Sequence, residues 1–182
     1  MRRLIVLIRG LFPPSGELMP VYAMGLSILN FWMLGHFFWK FSGWVYFQRV
    51  SDLLVTLAYA FATTFLESAA VIFGIALLAA ILPKPWFGEA FVARGAALVL
   101  LGLGYVMFFA LQFQSKTDYP TAMVNITPWV LAGIFIVAYF AGRVPLIRRV
   151  LESLADRFLI FLYIFLPLGI LGLVTMILRN LG

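Results

Sequence analysis

Glu67 is the side chain best placed to do chemistry. It falls about midway along an apolar run, 53–82, that contains no proline and no other charge. A carboxyl group at the centre of a bilayer costs roughly 2.5–3.5 kcal/mol on insertion scales, and such residues usually face a bundle interior or a polar pathway. Glu67 is therefore expected to point inward. Thr56, Ala60, Thr63, Thr64, Ala70 and Gly74 recur around it at spacings of three and four, the pattern of a face on which a second helix packs closely. Two roles stay open. Glu67 takes up and releases a proton, or holds a cation, with the Thr63, Thr64 and Ser68 hydroxyls as helpers. Alternatively it stays protonated in apolar surroundings and hydrogen-bonds Tyr105, Tyr163 or a backbone carbonyl. Pro167 cannot donate to the carbonyl of Tyr163, so the last apolar run should kink and present an acceptor at similar depth.

A second group of residues clusters at the end of the first apolar run: Phe37, Phe38, Trp39, Phe41, Trp44, Tyr46 and Phe47. Aromatic rings favour the headgroup level, so an aromatic belt accounts for them. His36, Trp39, Trp44 and Tyr46 are the candidate lipid-contact rim, where the belt would also serve as a groove for a lipid tail or quinone, or as contact with a neighbouring subunit. His36 is the single histidine and reads as an interfacial residue.

Several chemistries are excluded. With no cysteine there is no disulfide, thiolate metal site or thiol redox centre, and one histidine cannot form a His-rich metal cluster. Glycine-rich phosphate loops, H-E-x-x-H and G-x-S-x-G are absent. An intramembrane aspartyl mechanism needs two carboxylates at one depth, whereas Asp52, Asp118 and Asp156 fall at span ends or in loops. No enzyme activity, cofactor or resident metal is expected, and no internal repeat or pair of broken helices announces a transporter.

The elements that position these residues follow from composition. Of 182 residues 64% are hydrophobic, 17% aromatic and 11% charged, against about 25% charged in a soluble domain. Such a chain faces lipid. The fold expected is an all-α integral membrane protein: a bundle of about five transmembrane helices with one or two short interfacial helices, in a single membrane domain. A crossing takes about 20 apolar residues, and the runs near 20–39, 53–82, 90–113, 121–141 and 158–178 qualify. The second would form a helix of about 45 Å, read as one long tilted span, with a re-entrant pair broken near Glu67 as the alternative. Gly95, Gly102 and Gly104 are expected packing sites in the third run, and Arg94, about one turn into it, should snorkel to the headgroups.

Residues 1–17 read as an interfacial segment. Leu4, Leu7, Ile8 and Leu11 lie at helical spacing among Arg2, Arg3 and Arg9, and Arg9 together with the lack of a small-residue cleavage site argues against a cleavable signal peptide. The stretch 145–157 reads as a second interfacial helix, with Leu146, Ile147, Val150, Leu151 and Leu154 on one face and Arg148, Arg149, Glu152, Ser153 and Asp156 on the other. The bland reading is a solvated connector with an Arg148–Glu152 pair.

Five crossings put Arg2, Arg3, Arg9, Lys84, Arg94, Arg143, Arg148, Arg149 and Arg157 on one side, and Lys40, Arg49, Lys116 and Arg179 on the other. The positive-inside rule then places the N-terminus in the cytoplasm and the C-terminus outside, in what composition suggests is a bacterial cytoplasmic membrane. The net charge of +6 is thus a matter of topology rather than of nucleic-acid binding. Tiny loops, abundant packing surface and absent chemistry make an accessory or scaffolding subunit of a larger membrane complex the leading expectation. A proton-coupled or cation transporter or channel using Glu67 is the alternative, and lipid or quinone binding at the aromatic rim a third reading. The partners expected are membrane lipid and other membrane-protein subunits or further copies of the chain.

Overall fold

A computed structural model describes residues 13–113 and 121–181; the proposed interfacial turns of residues 1–12, with Arg2, Arg3 and Arg9, lie outside them, as do Lys116 and Asp118. The described residues form five long helices: α1 (Ser15–Trp44), α2 (Val50–Ile81), α3 (Phe91–Phe113), α4 (Thr121–Ala141) and α5 (Pro145–Leu181), with a 3₁₀ turn at Gly88–Ala90 before α3. Each is long and apolar enough to cross a membrane. The chain is a multi-pass all-α bundle.

Prolines set several boundaries. Pro14 is held extended at φ −63° and ψ 150°, and α1 starts at Ser15, so residues 15–17 are continuous with the first long helix. Pro20 lies inside α1, where its missing N–H forgoes one bond, to the carbonyl of Gly16. Leu82 precedes Pro83 and is extended (φ −80°, ψ 147°), which stops α2. Pro145 opens α5 at a position where its missing N–H costs nothing.

α2 is one uninterrupted helix of 32 residues, about 48 Å long at 1.5 Å per residue; it does not break at Glu67. α5 is likewise continuous over 37 residues, about 55 Å. This corrects the division into an interfacial helix at 145–157 and a span at 158–178. Nothing between them breaks the helix: no glycine or proline falls between Leu146 and Leu166, and Arg148 pairs with Glu152 at 2.8 Å along the exposed side. Leu151, Leu154 and Ala155 join the same core as Phe158, while Leu146, Ile147 and Val150 stay exposed. Helical geometry continues through Pro167 as well.

α1, α2 and α5 pack against one another, α3 lies against α1 and α5, and α4 packs chiefly on α3. α2 and α5 come closest at Gly172, where a Cβ would strike the carbonyl oxygen of Ala58. One core cluster joins Val21, Met24, Ile75, Phe87, Phe91, Val99 and Ala155 near the end that carries the α2–α3 and α4–α5 connections, here termed the basic end. A second joins Leu26, Phe61 and Phe165 toward the opposite, aromatic end.

Burial is uneven along α1 and α3. On α3 it is confined to Phe91–Val99, and from Leu101 onward Leu101, Val106, Phe108 and Leu111 are exposed. The two helices meet through Gly95 against Val21, where an added Cβ would sit 3.1 Å from the valine methyls, and through Gly25 against Val99. Gly102 and Gly104 have no neighbouring atom within 4 Å of a built Cβ, so of the three glycines expected to pack, Gly95 alone does. α1 and α3 part beyond Val99.

Candidate functional site

The polar residues of α2 do not form one face. Thr64 is 4% exposed, and its Oγ1 donates to Asn30 Oδ1 at 3.1 Å, joining α2 to α1. Thr63 and Glu67 are exposed on the outside of the bundle. Three residues of helix correspond to 300° of rotation, so Glu67 sits 60° around from Thr64, enough to leave the packed seam. The expected inward orientation of Glu67 is therefore corrected. The carboxyl makes no hydrogen bond or ion pair with any described residue, and Thr63 Oγ1 donates within its own helix to the Ala60 carbonyl at 2.9 Å.

The tyrosines suggested as partners lie elsewhere. Tyr105, on α3, shares a hydrogen bond of 2.8 Å with Thr127 Oγ1 on α4. Tyr163 is 81% exposed on α5. Neither hydrogen-bonds Glu67, and the five residues considered as an intramembrane polar site fall into four separate places: Thr63 with Glu67 on the outer face of α2, Thr64 in the seam, Tyr105 against α4, and Tyr163 on the exposed side of α5.

A buried polar seam that the spacing did not single out runs between α1 and α2: Ser27, Asn30, Thr64 and Ser68. Ser27 Oγ donates to the Ala23 carbonyl at 2.6 Å and Asn30 Nδ2 to the Leu26 carbonyl at 2.7 Å. Ser68 Oγ donates to the Phe65 carbonyl at 2.8 Å. Each polar group is thus satisfied locally, and Asn30–Thr64 is a contact that crosses between the two helices. An asparagine in the middle of an apolar run was the available signal.

The aromatic rim divides in two. Phe38 and Trp44 meet Phe37 edge to face, and Phe41 lies tilted against it. His36 and Trp39 turn instead into a groove of about 430 Å³, lined by Phe31, Trp32, Gly35, His36, Trp39 and Leu111, where α1 and α3 part. His36 Nδ1 lies 3.0 Å from the Trp32 carbonyl. Tyr46 is 84% exposed and belongs to neither group.

No known protein family, curated protein or solved structure matches the chain. The site's own chemistry must carry the reading. Among the described residues no three His, Asp or Glu side chains converge as a metal site would require. The polar group that stands out is Glu67, a carboxyl at the middle of the longest proline-free helix, facing out of the bundle. Beside it Ala70 is exposed, and a Cβ built on Gly74 meets no atom within 4 Å.

Proposed function

We propose that the protein is a non-catalytic membrane subunit that works by lateral association, with the Thr63–Glu67–Ala70–Gly74 face of α2 as its contact surface. The orientation of Glu67 carries this reading. An unpaired mid-bilayer carboxyl facing lipid costs about 2.5–3.5 kcal/mol, a cost removed when another helix supplies a donor. Small residues one and two turns along let that helix approach closely. Thr63, Glu67, Ala70 and Gly74 follow each other by four, three and four residues, one stripe on one face.

The setting proposed is a bacterial cytoplasmic membrane with the basic end in the cytoplasm, so that the N-terminus is inside and the C-terminus outside. A proton or cation route through Glu67 would need the second chain as its other wall, so transport too depends on association.

The test is native mass spectrometry of gently extracted wild type and Glu67→Leu. Wild type should run as a complex larger than the 20.5 kDa chain, and the variant should release the chain. A wild type that is monomeric when extracted in native lipid, or a complex indifferent to Glu67→Leu, overturns the reading.

A second reading is supported by the groove between α1 and α3. Its apolar walls, with Trp39 and His36 toward the aromatic end, fit a lipid tail or the isoprenoid tail of a quinone. A bound lipid or quinone that survives purification and is lost on Trp39→Ala would support it.

A further inference from the structure

The basic end contains a guanidinium that the described residues leave largely without hydrogen-bond partners. Arg94 was expected to reach the headgroups, yet it is 2% exposed, packed where α3 begins between the two connecting loops. Nη1 donates to the Pro85 carbonyl at 3.3 Å, and Cζ lies 5.2 Å from the centroid of the Tyr139 ring. Nε is buried with no hydrogen-bond partner. Gly142 allows this placement, since a Cβ there would collide with Arg94 Nε. Of the five N–H donors that a guanidinium carries, one finds an acceptor among the described residues.

The surroundings carry charge of both signs, none of it in contact with Arg94 as an ion pair. Arg143 Cζ lies 4.9 Å from the same Tyr139 ring, and Arg143, Arg148 and Glu89 are all near enough to act on Arg94 electrostatically. Glu89 makes no ion pair within 4 Å; the ion pair among the described residues is Arg148 with Glu152. A buried charge with no counter-charge in direct contact is costly, by several kcal/mol after relaxation. Trp86, whose ring centroid is 5.6 Å from that of Tyr139, marks this level as the headgroup layer, where Trp and Tyr collect.

We infer that Arg94, Arg143 and the Tyr139 ring form a binding site for the phosphate of an anionic phospholipid headgroup. Phosphate supplies what is missing. Its oxygens match the planar fork of guanidinium donors, its charge offsets two arginines held on one ring, and the lipid tails continue along exposed apolar surface such as Leu146, Ile147 and Val150. With the basic end in the cytoplasm, the site would meet the leaflet richer in anionic lipid.

The experiment reconstitutes the full chain in nanodiscs of phosphatidylcholine with and without phosphatidylglycerol and counts retained lipids by native mass spectrometry, with inorganic phosphate added in a parallel arm. Wild type should retain phosphatidylglycerol over phosphatidylcholine. Arg143→Gln, at an exposed position and so safe for folding, should weaken that retention about tenfold, the equivalent of one charge-assisted hydrogen bond. Arg94→Gln, checked for native helicity, should weaken it further, and Arg179→Gln at the far end should leave it unchanged. Equal retention of the two lipids, indifference to Arg143→Gln, or an equal loss in Arg179→Gln overturns the proposal. Capture of inorganic phosphate without preference for the anionic lipid overturns the lipid assignment.

Discussion

Thr64 and Glu67 stand three residues apart on α2 and face different surroundings: Thr64 Oγ1 donates to Asn30 Oδ1 at 3.1 Å inside the bundle, and Glu67 lies exposed outside it. One helix thus spends its polarity in two ways. The inner pair ties α2 to α1, and the outer carboxyl makes no hydrogen bond or ion pair with any described residue.

The Asn30–Thr64 pair predicts a measurable coupling. Interhelical hydrogen bonds in membranes contribute about 0.6 kcal/mol on average, with an upper range near 1.7. In the cycle of Asn30→Ala, Thr64→Val and the double variant, unfolding in mild detergent should give a coupling energy in that range. Strictly additive effects would mean the two side chains do not bond.

Gly172 should be the least replaceable glycine. Its absent Cβ is what lets the backbone of α5 lie against the Ala58 carbonyl and the Ala62 amide of α2, and an added methyl meets backbone rather than a yielding side chain. Gly172→Ala should destabilise the fold by about 1–3 kcal/mol, the usual cost of overpacking. Gly102→Ala and Gly104→Ala, which meet no atom within 4 Å, should not. Thermal unfolding of the three variants compares them directly.

The groove between α1 and α3 gives a complementary case. A Cβ at Gly35 has open space around it, so Gly35→Leu should fold normally while filling the groove beside His36 and Trp39. If the groove holds a lipid tail or quinone, the variant should lose the co-purifying molecule with its melting temperature unchanged. Retention of that molecule would place it elsewhere.

The number and approximate extent of the spans were legible from apolar run length, because a helix that crosses hydrocarbon leaves a run near 20 residues whatever it packs against. The inner faces were not. In water the buried face of a helix is its apolar face, but lipid is as apolar as the bundle interior, so periodicity carries little information on burial. Gly95 and Gly102 look alike in sequence, yet Gly95 meets Val21 and Gly102 meets nothing. Polarity was the remaining clue, and it placed both Thr64 and Glu67 on the packed side, where Thr64 lies and Glu67 does not. The break assigned before Phe158 failed for a related reason. An amphipathic stretch such as 145–157 has the same pattern whether it lies on the membrane or continues a span, and its junction with Phe158 holds no helix breaker.

Glu67 separates folding from association. Because its carboxyl has no partner among the described residues, replacing it removes no contact that holds the bundle together. In detergent that disperses the protein to single chains, Glu67→Leu should therefore leave the unfolding temperature unchanged or raise it, since an apolar side chain suits a lipid-facing position better by up to about 3 kcal/mol. In gentle extraction the same substitution should disrupt the complex. An inward, structural glutamate would behave oppositely, lowering the unfolding temperature of the single chain, and that result would return Glu67 to the bundle interior.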